Sequence, residues 1–220
     1  MRGGGEKLKK TFEQDLIEGS VGAIEVRYSS VEHGSDPKRL VVFSHPHPLH
    51  GGTMNNKVVT TMERAFQHLG YATVAYNFRG VEKSEGEYDH GEGEQADLLA
   101  VIKWAKQTFK SEHLTLAGFS FGSYVSLNVA HSKQIKVNAL CTVAPPVGLY
   151  DFSDLFSKEG GEEISWTLIQ GGQDEVISAQ EVLNWAMSQP NKPDVYWRER
   201  AGHFFHGELI WLKRVVLAHF

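Results

Sequence analysis

The sequence is poor in three features that would each indicate a particular class of protein. It has one cysteine, Cys141, which excludes an internal disulfide framework and a CxxC redox or zinc site. It has no long apolar run, since stretches such as Leu40 to Phe43 are far shorter than the ~20 residues of a membrane helix. It also lacks a basic excess, and its net charge of -5 implies no surface for nucleic acid or anionic lipid.

A secretion signal is also missing from the start of the sequence. Residues 1–10 are basic and glycine-rich, but no apolar stretch of signal-peptide length follows them. We therefore expect a cytoplasmic protein whose partners include neither a membrane nor a nucleic acid. Residues 1–11 are expected to form a flexible tail.

The remaining sequence alternates between two kinds of apolar pattern. Apolar residues recur at three- and four-residue steps along 54–69 and 98–109, which predicts helices there. Strands separated by helices build a mostly parallel sheet. We expect 12–220 to form one α/β domain with about seven to eight strands, helices on both sides, and an antiparallel hairpin at one edge. The predicted strands are Ala23–Tyr28, Leu40–Ser44, Tyr71–Tyr76, Leu114–Ala117, Ala139–Val143, Trp166–Gln170 and Val195–Arg198.

A G-x-S-x-G pattern, centred on Ser120, lies between a predicted strand and a predicted helix. A tight turn of this kind strains the serine backbone and exposes its oxygen, and Gly118 and Gly122 allow neighbouring chain to approach closely. The following helix directs its N-terminal N–H groups at the site, where they favour a developing oxyanion. The pattern alone is a weak signal, and its strand–helix context makes Ser120 a candidate nucleophile.

A serine nucleophile needs a base, and the base needs an acid that orients it. In this architecture both follow the serine in the chain, each on a loop just beyond a strand. Asp174 follows one predicted strand and His203 follows the next, so they are the candidate acid and base. Glu175 and His206 are their nearest competitors, but we expect Glu175 to point away from His203 and His206 to flank the last helix.

The oxyanion hole is expected to use two backbone N–H groups. One belongs to Phe121, the residue after the nucleophile, and the other to the loop after an earlier strand. In that loop Pro46 and Pro48 have no N–H, which leaves His47 as the first candidate and Leu49 as the second.

The same loop suggests a rival interpretation as a metal site. His45, His47 and His50 are close in sequence, and histidine is a common zinc ligand. The sequence has no H-E-x-x-H motif and no carboxylate at ligand spacing near them. We therefore predict no metal and no cofactor.

An Arg-Gly turn at Arg79 follows another predicted strand. The guanidinium of Arg79 either binds carbonyls and carboxylates within the fold or takes an anionic substrate group. We favour the structural role, because such loops need internal hydrogen bonds.

Several segments, taken in order, resemble the α/β-hydrolase superfamily across residues 12–220. The resemblance is to small bacterial hydrolases related to dienelactone hydrolase and to prolyl-oligopeptidase-type esterases. It implies a serine hydrolase with Ser120 as nucleophile, His203 as base and Asp174 as acid. Dienelactone hydrolases carry cysteine at the elbow, so a lactone substrate is not implied. The matching segments are HPHPLHGGTMNNKVV, NFRGVEKSEGEYDHGEGEQAD, AGFSFGSYVSLNVA, VAPP, GGQDEVI and GHFFHGEL.

Many hydrolases of this fold carry a cap after the strand that corresponds to Ala139–Val143, and here only about 145–165 is available for one. We therefore expect a minimal cap over a small-molecule ester site. The leading prediction for the function of the protein is hydrolysis of esters, with a preference for short acyl chains or aromatic groups. The alternatives are a peptidase or thioesterase with the same triad, and a non-catalytic ligand-binding scaffold. Monomer and dimer are both left open. The candidate lining residues are Leu49, Phe121, Tyr150, Phe152, Phe156 and Phe204.

Overall fold

The computed structural model of the protein describes residues 12–29, 38–153, 155 and 164–220. The flexible tail predicted for residues 1–11 lies outside the described residues, as does Phe156. Within the described part, no helix is long and apolar enough to cross a membrane.

Eight strands of the described chain form one sheet. The strands, numbered β1 to β8, are Glu13–Glu18, Ala23–Ser29, Arg39–Ser44, Ala72–Tyr76, His113–Phe119, Ala139–Val143, Ser165–Gly171 and Asp194–Arg198. Their order across the sheet is β1-β2-β4-β3-β5-β6-β7-β8. Strands β3 to β8 are parallel, whereas β1 and β2 form the predicted antiparallel hairpin at one edge. The predicted fold class is therefore confirmed.

Helices cover both faces of the sheet. The five α-helices of the described residues, α1 to α5, are Lys57–His68, Glu92–Phe109, Phe121–His131, Ala179–Ser188 and Leu209–His219. Helices α1 and α5 pack on one face, and α2, α3 and α4 pack on the other. Every residue of β4 and of β6 is buried, as expected for parallel strands covered on two sides.

Cys141 lies within β6 and is fully buried. Burial raises the pKa of its thiol to about 12, because the thiolate would lose its hydration there. The single cysteine is therefore a small apolar core residue, as its position in a strand predicts.

Parallel pairing determines where the functional loops meet. The carboxyl ends of β3 to β8 all lie at one edge of the sheet, and the loops that leave them are neighbours in space. Ser120 comes directly after β5, Asp174 follows β7 and His203 follows β8. Three residues that are distant in sequence thus reach one edge through the topology alone.

Candidate active site

The turn between β5 and α3 holds Ser120 in a strained backbone conformation. Its φ of 53° and ψ of -120° lie in a region that non-glycine residues rarely adopt. A Cβ atom at Gly118 would collide with the backbone of Gly122, and one at Gly122 would collide with the backbone of Ser44. The two glycines are therefore sterically required, because β3, β5 and the start of α3 approach closely at this point.

A chain of hydrogen bonds joins three side chains at this edge of the sheet. The Oγ of Ser120 lies 3.1 Å from Nε2 of His203, and Nδ1 of His203 lies 2.8 Å from Oδ2 of Asp174. With Asp174 ionised, Nδ1 carries the hydrogen and Nε2 is free to accept the proton of the serine hydroxyl. Ser120 is nearly buried, with 9% of its surface exposed, so the nucleophile keeps a small solvent-accessible area. The three residues singled out in the sequence are thus brought into direct contact.

Four donors surround the carboxylate of Asp174. Oδ1 accepts from the backbone N–H groups of Val176 and Ile177, both at 2.9 Å. Oδ2 accepts from Nε2 of Gln170 at 3.1 Å and from the imidazole of His203. Burial alone would raise the pKa of Asp174, but the hydrogen bonds from His203 and two backbone amides outweigh it and lower that pKa. The carboxylate is therefore held as an anion in one orientation.

Glu175 does not point away from His203, and that expectation is wrong. Its Oε2 accepts a hydrogen bond from the backbone N–H of His203 at 3.0 Å. The acid loop after β7 thus binds both parts of His203, its ring through Asp174 and its main chain through Glu175. His206 is exposed and flanks the start of α5, as expected.

The loop after β3 presents the candidate oxyanion donors. The N–H of Leu49 donates to Nδ1 of His47 at 3.2 Å, so the second candidate donor is already engaged. His45 fixes the neighbouring peptide group, because its Nδ1–H donates to the Pro46 carbonyl at 2.6 Å. Since no peptide bond of the described residues is cis, the N–H of His47 points opposite to that carbonyl. Phe121, the other candidate, opens α3, where the first N–H groups have no acceptor within the helix.

The imidazole of His45 joins two loops. Besides its bond to Pro46, its Nε2 accepts from the backbone N–H of Phe78 at 3.0 Å. Burial lowers the pKa of His45 to about 3, which keeps the ring neutral.

The rings of the other two histidines in this loop, His47 and His50, stack on each other at 4.3 Å between centroids. In the described part of the chain, no three His, Cys, Asp or Glu side chains are grouped so as to hold a metal ion.

An aromatic surface borders the nucleophile. The ring centroid of Phe121 lies 5.3 Å from that of His47, 5.4 Å from that of Tyr150 and 5.9 Å from that of Tyr88. The hydroxyls of Tyr88 and Tyr150 are hydrogen-bonded at 3.1 Å. Tyr88 was missed in the sequence, although its position in a loop beyond a parallel strand could have indicated it. The loops after β3 and β4 also enclose a groove of about 410 Å³ lined by Pro48, Leu49, Arg79, Gly80, Gly86, Glu87 and Tyr88.

The other candidate lining residues fall into two groups. Leu49 is 68% exposed and Phe204, next to the candidate base, is 38% exposed. Phe152 is only 7% exposed and packs in the core against Tyr124 and Trp185. We therefore assign Phe152 to the core and not to the substrate surface, because its ring is already enclosed by protein.

Arg79 has the structural role that its loop position favours. Its guanidinium and backbone N–H both bind the fully buried Asp97, with Nη2 at 2.8 Å from Oδ1. Another hydrogen bond joins Nη2 to Ser20 at 2.9 Å. The guanidinium therefore ties the loop after β4 to α2 and to the β1–β2 hairpin.

A mostly parallel eight-stranded sheet with a serine at the strand–helix turn after β5 defines the α/β-hydrolase superfamily. Residues 40–162 match the family model described as X-Pro dipeptidyl-peptidase (S15 family), and the chain belongs to this family. An uncharacterised protein of Rickettsia prowazekii, RP471, is 33% identical over 201 residues, covering 87% of this chain and 82% of its own.

Solved structures agree with this assignment. An α/β serine hydrolase homologue from Coxiella burnetii is 42% identical, with a TM-score of 0.84 over 94% of this chain and 97% of its own. XC6422 from Xanthomonas campestris, described as an α/β serine hydrolase without a lid, is 35% identical, with a TM-score of 0.86 over 96% of this chain and 94% of its own. The fold, the family and these relatives indicate hydrolase activity.

Proposed function

We propose that the protein hydrolyses carboxylic esters through an acyl-enzyme formed on Ser120. The observation that carries this proposal is the continuous hydrogen-bonded chain from Ser120 through His203 to Asp174, which begins at a strained strand–helix turn. A serine hydroxyl becomes a useful nucleophile only when a base accepts its proton, and this chain supplies the base and its orienting acid.

The first half-reaction builds the acyl-enzyme. The Oγ of Ser120 attacks the ester carbonyl carbon as Nε2 of His203 takes the hydroxyl proton. The N–H groups of Phe121 and His47 donate to the oxyanion that forms. When the tetrahedral intermediate collapses, the carbon–oxygen bond to the alcohol breaks and the alkoxide receives the proton from His203.

The second half-reaction releases the acid. A water molecule gives one proton to Nε2 of His203 and attacks the acyl carbon. The ester bond to Ser120 then breaks, and Oγ of Ser120 takes the proton back from His203, which restores the free enzyme. Asp174 remains ionised throughout and stabilises the imidazolium in both halves. Its lowered pKa and its four donors suit this role, since the acid is not required to accept a proton.

The surroundings of Ser120 favour small or aromatic ester substrates. Leu49 and Phe204 expose apolar surface beside the site, and the ring of Tyr150 faces that of Phe121. Apolar side chains that remain in water near a nucleophile favour the acyl or alcohol groups that cover them. We propose these residues, and not Phe152, as the substrate-contacting surface.

Peptide hydrolysis is the second candidate function. It is favoured by one observation, the match of residues 40–162 to a family described as X-Pro dipeptidyl-peptidase. The same serine chemistry cleaves amides and thioesters, so substrate preference distinguishes the candidates. We expect kcat/KM for p-nitrophenyl acetate and butyrate to exceed that for a Xaa-Pro p-nitroanilide, and the reverse order would favour the peptidase.

Replacement of the nucleophile tests the proposed mechanism. We expect Ser120→Ala to abolish ester hydrolysis and labelling by a fluorophosphonate probe, while the melting temperature remains close to that of the parent. Ser188→Ala is the control, because this serine is exposed at the end of α4 and its hydroxyl bonds to its neighbours Trp185 and Gln189, away from the site. Hydrolysis that survives in Ser120→Ala would overturn the proposal. A parent protein that neither hydrolyses nor reacts would indicate the non-catalytic scaffold.

A further inference from the structure

A polar side chain is buried beneath the candidate acid. Gln170 is the penultimate residue of β7, and its side chain is fully buried. Its Nε2 donates to Oδ2 of Asp174 and to the carbonyl of Gly171, both at 3.1 Å. The atom of Asp174 that it binds is the one that also binds Nδ1 of His203. Gln170 therefore contacts the hydrogen-bonded chain at its inner end.

The other half of the same amide is unsatisfied. The Oε1 of Gln170 is buried and has no hydrogen-bond partner within the described residues. A buried polar atom without a partner destabilises a protein, and an apolar side chain at this position would avoid that penalty. Rotating the amide would place Oε1 against the carboxylate of Asp174, where two acceptors repel. Contact with Asp174 thus determines which way the amide faces.

We propose that Gln170 is a positioning residue for the catalytic acid. This inference rests on the proposed function, and it explains why an amide with an orphan oxygen is kept at this place. The N–H groups of Val176 and Ile177 fix Oδ1, and the amide of Gln170 fixes Oδ2. The carboxylate plane is thereby set by donors that never change protonation state. His203 then meets an acceptor that is already oriented.

The amide also takes a share of the negative charge on Oδ2. Without this donor, more negative charge would remain on Oδ2, and the preference of the carboxylate for an imidazolium over a neutral imidazole would increase. The titratable side chains in direct contact at this end of β7, among the described residues, are Asp174, Glu175 and His203. Loss of the Gln170 donor is therefore expected to move the ascending limb of the pH–rate profile towards higher pH.

The test uses two variants of Gln170 and one control in the full-length protein. Gln170→Leu removes the donor and the orphan oxygen together. Gln170→Glu introduces a carboxyl group that can donate to Asp174 only while it is protonated. Gln67→Leu is the matched control, because Gln67 is also buried but donates to Ser29 and Thr73, away from the site. For each protein, kcat and KM for p-nitrophenyl butyrate, the pH–rate profile and the melting temperature are measured.

Gln170→Leu is expected to change catalysis and not stability. We expect kcat to fall about tenfold, as for loss of one charge-assisted hydrogen bond in the transition state. KM should stay within about twofold, and the ascending limb should shift up by about half a pH unit. The melting temperature should remain within about 3 °C of the parent, since the lost bonds are offset by removal of the orphan oxygen. Gln67→Leu should do the opposite, lowering the melting temperature with kcat unchanged.

Gln170→Glu gives a signature that a purely structural role would not produce. Two carboxyl groups in contact cannot both ionise easily, so the introduced group holds its proton to an unusually high pH. We expect activity near that of the parent on the acidic side and a new descending limb where that proton is lost.

Two results would overturn the inference. In one, Gln170→Leu keeps the parent kcat and pH profile. In the other, kcat and melting temperature fall together and Gln170→Glu shows no new limb. Failure of the proposed function itself would be seen separately, as a parent protein without serine-dependent hydrolysis.

Discussion

Two buried carboxylates occupy the same edge of the sheet and have opposite partners. Asp97 on α2 binds the guanidinium and backbone of Arg79, a cation that never loses its proton. Asp174 after β7 binds His203, whose ring carries a charge only after it accepts a proton. Both side chains are completely shielded from water.

The partner decides what each buried anion can do. The Asp97 pair is closed, in the sense that its carboxylate is bound by the guanidinium and backbone N–H of Arg79, which do not change protonation state during a reaction. The Asp174 pair continues outward, since the far nitrogen of His203 contacts the hydroxyl of Ser120. We infer that the first site contributes to stability and the second to catalysis, and each can be broken separately.

The largest expected effect comes from changing the acid without changing its shape. Asp174→Asn should lower kcat by up to ~10⁴ with KM nearly unchanged, because an amide favours the wrong imidazole tautomer. Steady-state kinetics with p-nitrophenyl butyrate measure this, and circular dichroism checks that the fold is intact. If Asp174→Asn is mild and Glu175→Gln is damaging, the acid is the neighbouring residue. If neither matters, Asp151 is the next candidate, since the other aspartate considered in this segment, Asp154, lies outside the described residues.

The closed pair should show the reverse behaviour. Asp97→Asn removes the main counter-charge of the buried Arg79 guanidinium and leaves the exposed Asp89 at 3.9 Å, and we expect it to lower the free energy of unfolding by about 3 kcal/mol. The kcat of the protein that remains folded should change little. Urea unfolding measures the first quantity, and active-site titration with a fluorophosphonate corrects the second for unfolded protein. Full stability with lost activity would mean that Asp97 belongs to the catalytic site after all.

Most of the fold follows from apolar patterning. Buried parallel strands are apolar throughout, and runs such as Ala139–Val143 were therefore predicted to the residue. Strand β1 was not predicted, because five of its six residues are exposed and its sequence, EQDLIE, has neither alternation nor an apolar run. Pairing with β2 holds it in place, which is a tertiary effect that local sequence does not carry.

The candidate site shows a similar division. Ser120, Asp174 and His203 could be located because each follows a strand, and parallel topology brings strand ends together. The directions of the side chains could not be predicted, because they depend on contacts between loops. Glu175 therefore contacts the histidine main chain against expectation, and Phe152 turns into the core.

His45 extends the comparison to a buried titratable group with no charged partner. Burial lowers its pKa to about 3, so the ring stays neutral in the folded protein at pH values where the unfolded chain binds a proton, below about pH 6.5. The stability linked to this group is therefore present above pH 6.5 and is lost as pH falls from there towards 3. The expected slope is about 1.4 kcal/mol per pH unit.

A variant isolates this contribution from those of the other histidines. His45→Asn keeps a donor for the Pro46 carbonyl and no longer titrates. We expect it to be less stable than the parent at pH 7.5, with a difference that narrows as the pH falls to 4.5. Urea unfolding at four pH values measures both slopes. Parallel slopes for the two proteins would show that His45 is protonated in the fold.

The smallest expected effect concerns the contact between Glu175 in the acid loop and the main chain of His203. Glu175→Ala removes the acceptor of the His203 backbone N–H, and we expect kcat to fall about fivefold, the equivalent of one modest hydrogen bond. Glu175→Gln keeps an acceptor oxygen and should retain nearly the parent rate. Glu199→Ala is the control, because that exposed glutamate accepts from the Trp197 indole nearby and lies outside the hydrogen-bonded chain. If Glu175→Gln is as slow as Glu175→Ala, the charge of Glu175 and not its hydrogen bond acts on the base, and the comparison would then include a third carboxylate that tunes the histidine.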